Sequence, residues 1–170
     1  LDSLNLLFLI ALVVVTACVM WYQGFNYCKN LKDNVKYYSI FFLFFISMVG
    51  ALMSNHLGLT WVFVEATTLT SAYLIMWHKS KTSLEATWKY VFLCSIGISL
   101  AFVGIILLLI GSGSVNSLFF DDLYANATLI NPFWLKLSFI FILIGFGTKA
   151  GFAPVHAWLP DAHAEAPSPV

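Results

Sequence analysis

The chain has 170 residues, of which 61% are hydrophobic and only 9% charged, and its eight basic and eight acidic side chains cancel to a net charge of zero. That composition excludes an ordinary soluble domain, and because every basic residue is a lysine there is no arginine-rich patch for nucleic acid or an anionic lipid surface. Apolar runs of about 20 residues suffice to cross a hydrocarbon core of about 30 Å, so the chain reads as an all-α, polytopic transmembrane helix bundle.

Five spans are predicted within a single transmembrane domain covering residues 1–170. The first, Leu4 to Trp21, lacks the basic start and small-residue cleavage site of a signal peptide and is read as membrane-resident. Lys29, Lys32 and Lys36 follow it, and the second span, Tyr38 to Met53, is the shortest. The third runs from Leu57 to Trp77 and leads to Lys79 and Lys81, the fourth from Trp88 to Ile110. Asp121 and Asp122 lie in the connection to the fifth span, Phe133 to Phe152. Lysines concentrate on the cytoplasmic side, which places the first and third connections and the region after Pro154 inside. A chain that starts at Leu1 without a methionine and stops at Val170 in a polar stretch reads as a piece of something longer.

Local signals refine this frame. Thr82 followed by Glu85 spells a capping box at the start of the fourth span. Asn126-Ala-Thr128 spells a glycosylation sequon that carries no weight in a multispan chain without a secretory cue. Gly145, Gly147 and Gly151 are expected to loosen the fifth helix, and Pro154 to remove a backbone donor, so a discontinuous helix is expected near Lys149, with a broken-helix region over residues 153–170. Irregular backbone at membrane depth survives only against protein or a water-filled cavity, and discontinuous helices hold the ion sites of transporters.

Lys149 is the residue that most needs explaining, since an ammonium group in an apolar span costs at least about 2.5 kcal/mol. Glu65, inside the third span, is its acidic counterpart. The spacing of Glu65, Thr68 and Ala72 makes a polar, small stripe on one helical face, with Leu69 beside it, expected to look into the bundle. Burial disfavours the charged form of each group and an opposite charge favours it, so a facing Lys and Glu form a tunable proton store. The bland readings are a glutamate that only glues helices together and a lysine that snorkels to the interface. Lys89, one turn past Glu85, either snorkels out or reaches inward. His156 and His163 are candidate proton relays, because imidazole titrates near neutral pH. Their spacing about Asp161 matches no established metal site, and no metal is expected. Lys136, His56 and His78 read as interfacial residues. Cys18, Cys28 and Cys94 show no redox or metal spacing.

Three segments carry a resemblance to a known family: Trp61-Val-Phe-Val-Glu65-Ala-Thr-Thr-Leu-Thr-Ser71, Ser83-Leu-Glu-Ala-Thr-Trp-Lys89-Tyr90, and Gly147-Thr-Lys149-Ala-Gly-Phe-Ala-Pro-Val-His156-Ala-Trp-Leu-Pro-Asp-Ala-His163. In this order they closely resemble the antiporter-like proton-translocating subunits shared by respiratory complex I, Mrp sodium/proton antiporters and membrane-bound group 4 hydrogenases. The wording from Glu65 to Leu69 and from Leu84 to Tyr90 is most similar to the hydrogenase-4 component F and formate hydrogenlyase type. The resemblance covers roughly Asn30 to Val170. It implies that Glu65 is the acidic residue of the family's fifth helix, Lys149 the lysine of its broken seventh helix, and Lys89 the lysine near the start of the sixth. It also implies part of an inverted-repeat transporter fold, of which this chain holds the third to seventh helices.

The expected function is proton translocation through Glu65, Lys149, Lys89, His156 and His163 in a multi-pass subunit of the prokaryotic cell (inner) membrane. Other membrane subunits of a redox-driven pump of the hydrogenase or NADH dehydrogenase type are the expected partners, with protons, or sodium, as cargo and the lipid bilayer around them. No flavin, iron-sulfur, nickel or dinucleotide motif is present, so no cofactor is expected and any oxidoreductase activity belongs to the complex. The alternatives are an Mrp-type sodium/proton antiporter subunit and a purely structural membrane subunit.

Overall fold

The computed structural model describes residues 2–26, 31–113, 115 and 117–170, without the side chains at 24–26 and 31–34. Cys28 and Lys29, and the side chain of Lys32, lie outside what is described. Among the described residues all regular structure is helical: α1 (Ser3–Asn26), α2 (Leu31–Met53), α3 (Leu57–Ile75), α4 (Lys81–Ser112), the short α5 (Phe120–Ala125), α6 (Pro132–Ala150) and the short α7 (Leu159–Glu165). Five of them, α1, α2, α3, α4 and α6, are long and apolar enough to cross a membrane. The chain is a multi-pass integral membrane protein.

Helix α4 is central: it packs most extensively on α6, then on α3 and α7, while α2 packs on α3 and α1 rests mainly on α2. At 32 residues it is about 48 Å long, more than a hydrocarbon core needs, so its first turns extend past the predicted start at Trp88. The outward faces carry large apolar side chains such as Phe92, Ile96 and Phe139, as lipid contact requires.

The α4–α6 contact is made by small residues. Gly97, Gly104 and Gly111 recur every seven residues, one stripe on α4, and a Cβ at any of them would meet Thr148, Ile142 or Trp134 of α6 at under 3.0 Å. A Cβ at Gly145 would stand 2.5 Å from the backbone nitrogen of Ala101. Where lipid is as apolar as leucine, close backbone approach of this kind supplies the association energy. Gly145 thus packs α6 rather than loosening it, which corrects the sequence expectation. Gly151 alone of the three turns the chain: it takes the left-handed conformation at φ 79°, and the Gly151 and Phe152 N–H groups donate to Thr148 O at 3.2 Å and Gly147 O at 2.9 Å. The helix therefore ends at Ala150, two residues before the predicted end, directly after Lys149. A cis Ala153–Pro154 bond follows and α7 starts at Leu159.

At the start of α4 the capping box does not form. Ser80 is the cap, accepting from Ser83 N at 2.9 Å. Thr82 instead donates to Glu165 of α7 at 2.8 Å, and Glu85 pairs with Lys89 at 2.9 Å. The helix already begins at Lys81, so Thr82 stands inside its first turn and not at the cap.

Candidate functional site

Helix α3 supplies the polar floor of the site. Its hydroxyls bond back to its own carbonyls, Thr67 to Val64 O at 2.6 Å and Ser71 to Thr67 O at 2.6 Å, so they survive in an apolar bundle without outside help. Thr67, Thr68, Ser71 and Ala72 are buried, whereas Leu69 is 59% exposed. The stripe through Thr68 and Ala72 faces inward as expected and extends to Ser71, while Leu69, expected beside it, turns outward.

Lys149, in the last turn of α6, reaches across to this floor. Its Nζ donates to Thr68 Oγ1 at 3.0 Å and to the Tyr90 hydroxyl, and lies 4.8 Å from the centre of the Tyr90 ring. Tyr90 OH is 2.7 Å from Ser71 Oγ. The last turn of a helix favours a cation, since the unsatisfied carbonyls there carry partial negative charge. The donors and acceptors form a consistent directed set: Lys149 N–H to Tyr90 O, Tyr90 O–H to Ser71 Oγ, Ser71 O–H to Thr67 O. Two of the three ammonium protons are used, and every partner is neutral.

Glu65 lies one turn back along α3 from Thr68. Its Oε1 accepts from Ser95 Oγ at 3.3 Å, while Oε2 is buried with no hydrogen-bond partner among the described residues. Glu65 and Lys149 make no ion pair, since Glu65 is in no N···O contact within 4.0 Å among the described residues. They are near enough to feel each other's charge, and each keeps one hydrogen-bonding site open.

A cavity of about 280 Å³ opens from Lys149, Tyr90, Thr67 and Ser71 toward His163 on α7. The cavity joins His163 to Lys149 but leaves Lys89 and His156 apart. Lys89 lies in a separate surface groove, 2.9 Å from Glu85 and 2.9 Å from Asp161. His156 is exposed in the segment between α6 and α7. Trp158, at the mouth of that segment, donates from Nε1 to Thr148 O at 2.9 Å and so ties α7 back to the end of α6. His56 caps α3 at the opposite end, accepting from Leu59 N at 3.3 Å beside Phe119, and Lys136 is exposed. Among the described residues no cluster of His, Cys, Asp or Glu could hold a metal.

Sequence reasoning missed Tyr90, Ser71 and Ser95 as members of the site. The signal was present in part: Ser83, Thr87, Tyr90 and Cys94 recur at three- and four-residue spacing and form the buried polar face of α4.

Comparison with known proteins gives a consistent set. A family model described as NADH:quinone oxidoreductase/Mrp antiporter, TM matches residues 54–170. The chain is 40% identical over 140 residues to a hydrogenase-4 component F homolog of Methylacidiphilum infernorum, covering 79% of this chain and 29% of that protein. It is 32% identical over 173 residues to the putative antiporter subunit mnhA2 of Staphylococcus aureus, covering all of this chain and 21% of the relative. A chain of the archaeal membrane-bound sulfane sulfur reductase, a respiratory membrane complex, superposes with a TM-score of 0.81 at 29% identity, over 93% of this chain and 32% of that one. The chain therefore spans less than a third of the length of these curated relatives.

Proposed function

The chain belongs to the NADH:quinone oxidoreductase/Mrp antiporter family of transmembrane proteins, and from that premise we propose that it is the proton-handling part of a subunit that moves protons across the prokaryotic inner membrane, driven by redox chemistry in partner subunits of a hydrogenase-4, formate hydrogenlyase or NADH dehydrogenase type complex. The observation that carries this reading is the Lys149 ammonium, held by neutral hydroxyls, one of them a turn along α3 from Glu65, whose buried Oε2 has no hydrogen-bond partner among the described residues. An amine among neutral groups changes its charge when a neighbouring charge moves, and the Glu65 carboxylate is that neighbour. His163 shares the cavity with Lys149 and loads or unloads it at the α7 end. Lys89 and His156 stand further out, at the rim, where protons are collected. The lysine-bearing connections support a cytoplasmic position for this end.

The test uses the assembled complex in inverted membrane vesicles with a pH-sensitive dye. Lys149→Met and Glu65→Gln, each with assembly intact on native gels, are expected to abolish translocation. A wild-type gradient from either variant would refute the reading.

A sodium/proton antiporter subunit is the second reading, favoured by the likeness of this whole chain to 21% of the putative antiporter subunit mnhA2. Translocation that depends on sodium and persists without redox partners would select it.

A further inference from the structure

The Lys149 site holds a tyrosine that the reading above leaves without a task. Tyr90 stands between Lys149 and Ser71, with its hydroxyl bonded to both and its ring packed on Trp158 at 4.9 Å. Tyr90 is 4% exposed, so its hydroxyl reaches water only through the cavity that Ser71, Lys149 and His163 share. No carboxylate or imidazole bonds to Lys149 among the described residues. Of the two hydroxyls that accept from the ammonium, Thr68 bonds back to Val64 O of its own helix, whereas Tyr90 lines the cavity and bonds onward to Ser71, which lines it too.

We propose that Tyr90 is a proton-relay residue, passing the Lys149 proton through Ser71 to the cavity on the α7 side. The proposal rests on Lys149 being the group that translocates. The step balances without electrons: the ammonium gives a proton to Tyr90 O as the Tyr90 proton passes to Ser71 Oγ. The Ser71 hydroxyl turns from Thr67 O and releases its proton to a cavity water. The amine, the phenol and the alcohol all end neutral. Tyrosine suits the task because its hydroxyl partners both charge states, accepting from the ammonium and donating to the amine. Serine or threonine at this place would lack the ring face that steadies the cation. The titratable groups facing the pair are Glu65 from α3, Cys94 from α4 and His163 from α7, while α2 offers only Phe44 and Met48.

The test is made in the assembled complex in vesicles. Tyr90→Phe keeps the ring, its contact with Trp158 and its place over the ammonium, and is expected to slow translocation by at least about a hundredfold, the lower range for a lost proton-transfer group. Ser71→Ala is expected to slow it as well, and Ser71→Thr to keep it. The decisive readout is 3-fluorotyrosine placed at position 90, which preserves every contact but carries a more acidic hydroxyl. A relay moves the pH profile of translocation toward lower pH. A profile that superposes on the wild type, or a Tyr90→Phe rate equal to wild type, overturns the proposal. Lys149→Met, measured alongside, separates the two claims: inactive Lys149→Met with unaltered Tyr90→Phe removes the relay and leaves the Lys149 reading standing, while active Lys149→Met removes both.

Discussion

Placing a methyl group at Gly145 tests whether the α4–α6 seam positions Lys149. In Gly145→Ala the new Cβ would stand 2.5 Å from both the nitrogen and the Cβ of Ala101 and 2.6 Å from Gly97 O, where real contacts stay above 3.0 Å. Two of those three atoms are backbone, so no rotamer change relieves the clash, and the helices must separate by at least about half an ångström. Overpacking of this kind costs about 1–3 kcal/mol. The same change at Gly147 meets only the Phe152 ring, at 3.1 Å, which can move, and gains up to about 1 kcal/mol of helix propensity. Thermal unfolding of the two variants of the full-length protein in detergent should therefore diverge, with the Gly145→Ala midpoint lowered and the Gly147→Ala midpoint at or above wild type. Because Lys149 lies one turn beyond Gly145, the first variant should also lose translocation. Equal midpoints for the two would refute the seam as the element that sets the site.

Gly151→Ala places a Cβ on a left-handed residue and should cost about 1–2 kcal/mol, read as a lower unfolding midpoint. Trp158→Phe deletes the indole donor to Thr148 O and should cost about 1 kcal/mol, since that carbonyl keeps the Gly151 N–H; faster proteolysis between α6 and α7 is the check. Lys89→Gln and Asp161→Asn should each loosen α7 slightly and do no more in combination than singly, because they break one exposed ion pair. A double variant much worse than both singles would show that each residue acts elsewhere.

Much of the bundle was legible because the bilayer imposes length and polarity on each helix, and Lys149 and Glu65 stood out against that background. The break after Lys149 was legible too, through Gly151 and Pro154. What failed were inferences that ignored partners distant in sequence. Thr82 looks like a cap, but the helix begins before it at Lys81 and its hydroxyl meets Glu165 of α7, and Gly145 looks like a weak point until Ala101 fills the space beside it. An ion pair between Lys149 and Glu65 is the simplest guess from two lone charges. Whether they touch depends on how α6 and α3 each pack on α4, and the lysine finds Thr68 of α3 and Tyr90 of α4 instead. Ser95 and Tyr90, ordinary residues within an apolar run, gain significance only from what faces them.

Lys149→Arg tests the central claim most directly. Arginine keeps a positive charge and hydrogen-bond donors at this position but cannot be deprotonated within a protein. If Lys149 works by giving up and regaining a proton, the Arg variant assembles, retains redox activity and builds no proton gradient in vesicles. A gradient equal to wild type would mean that a fixed charge suffices, and that Lys149 does not carry the proton.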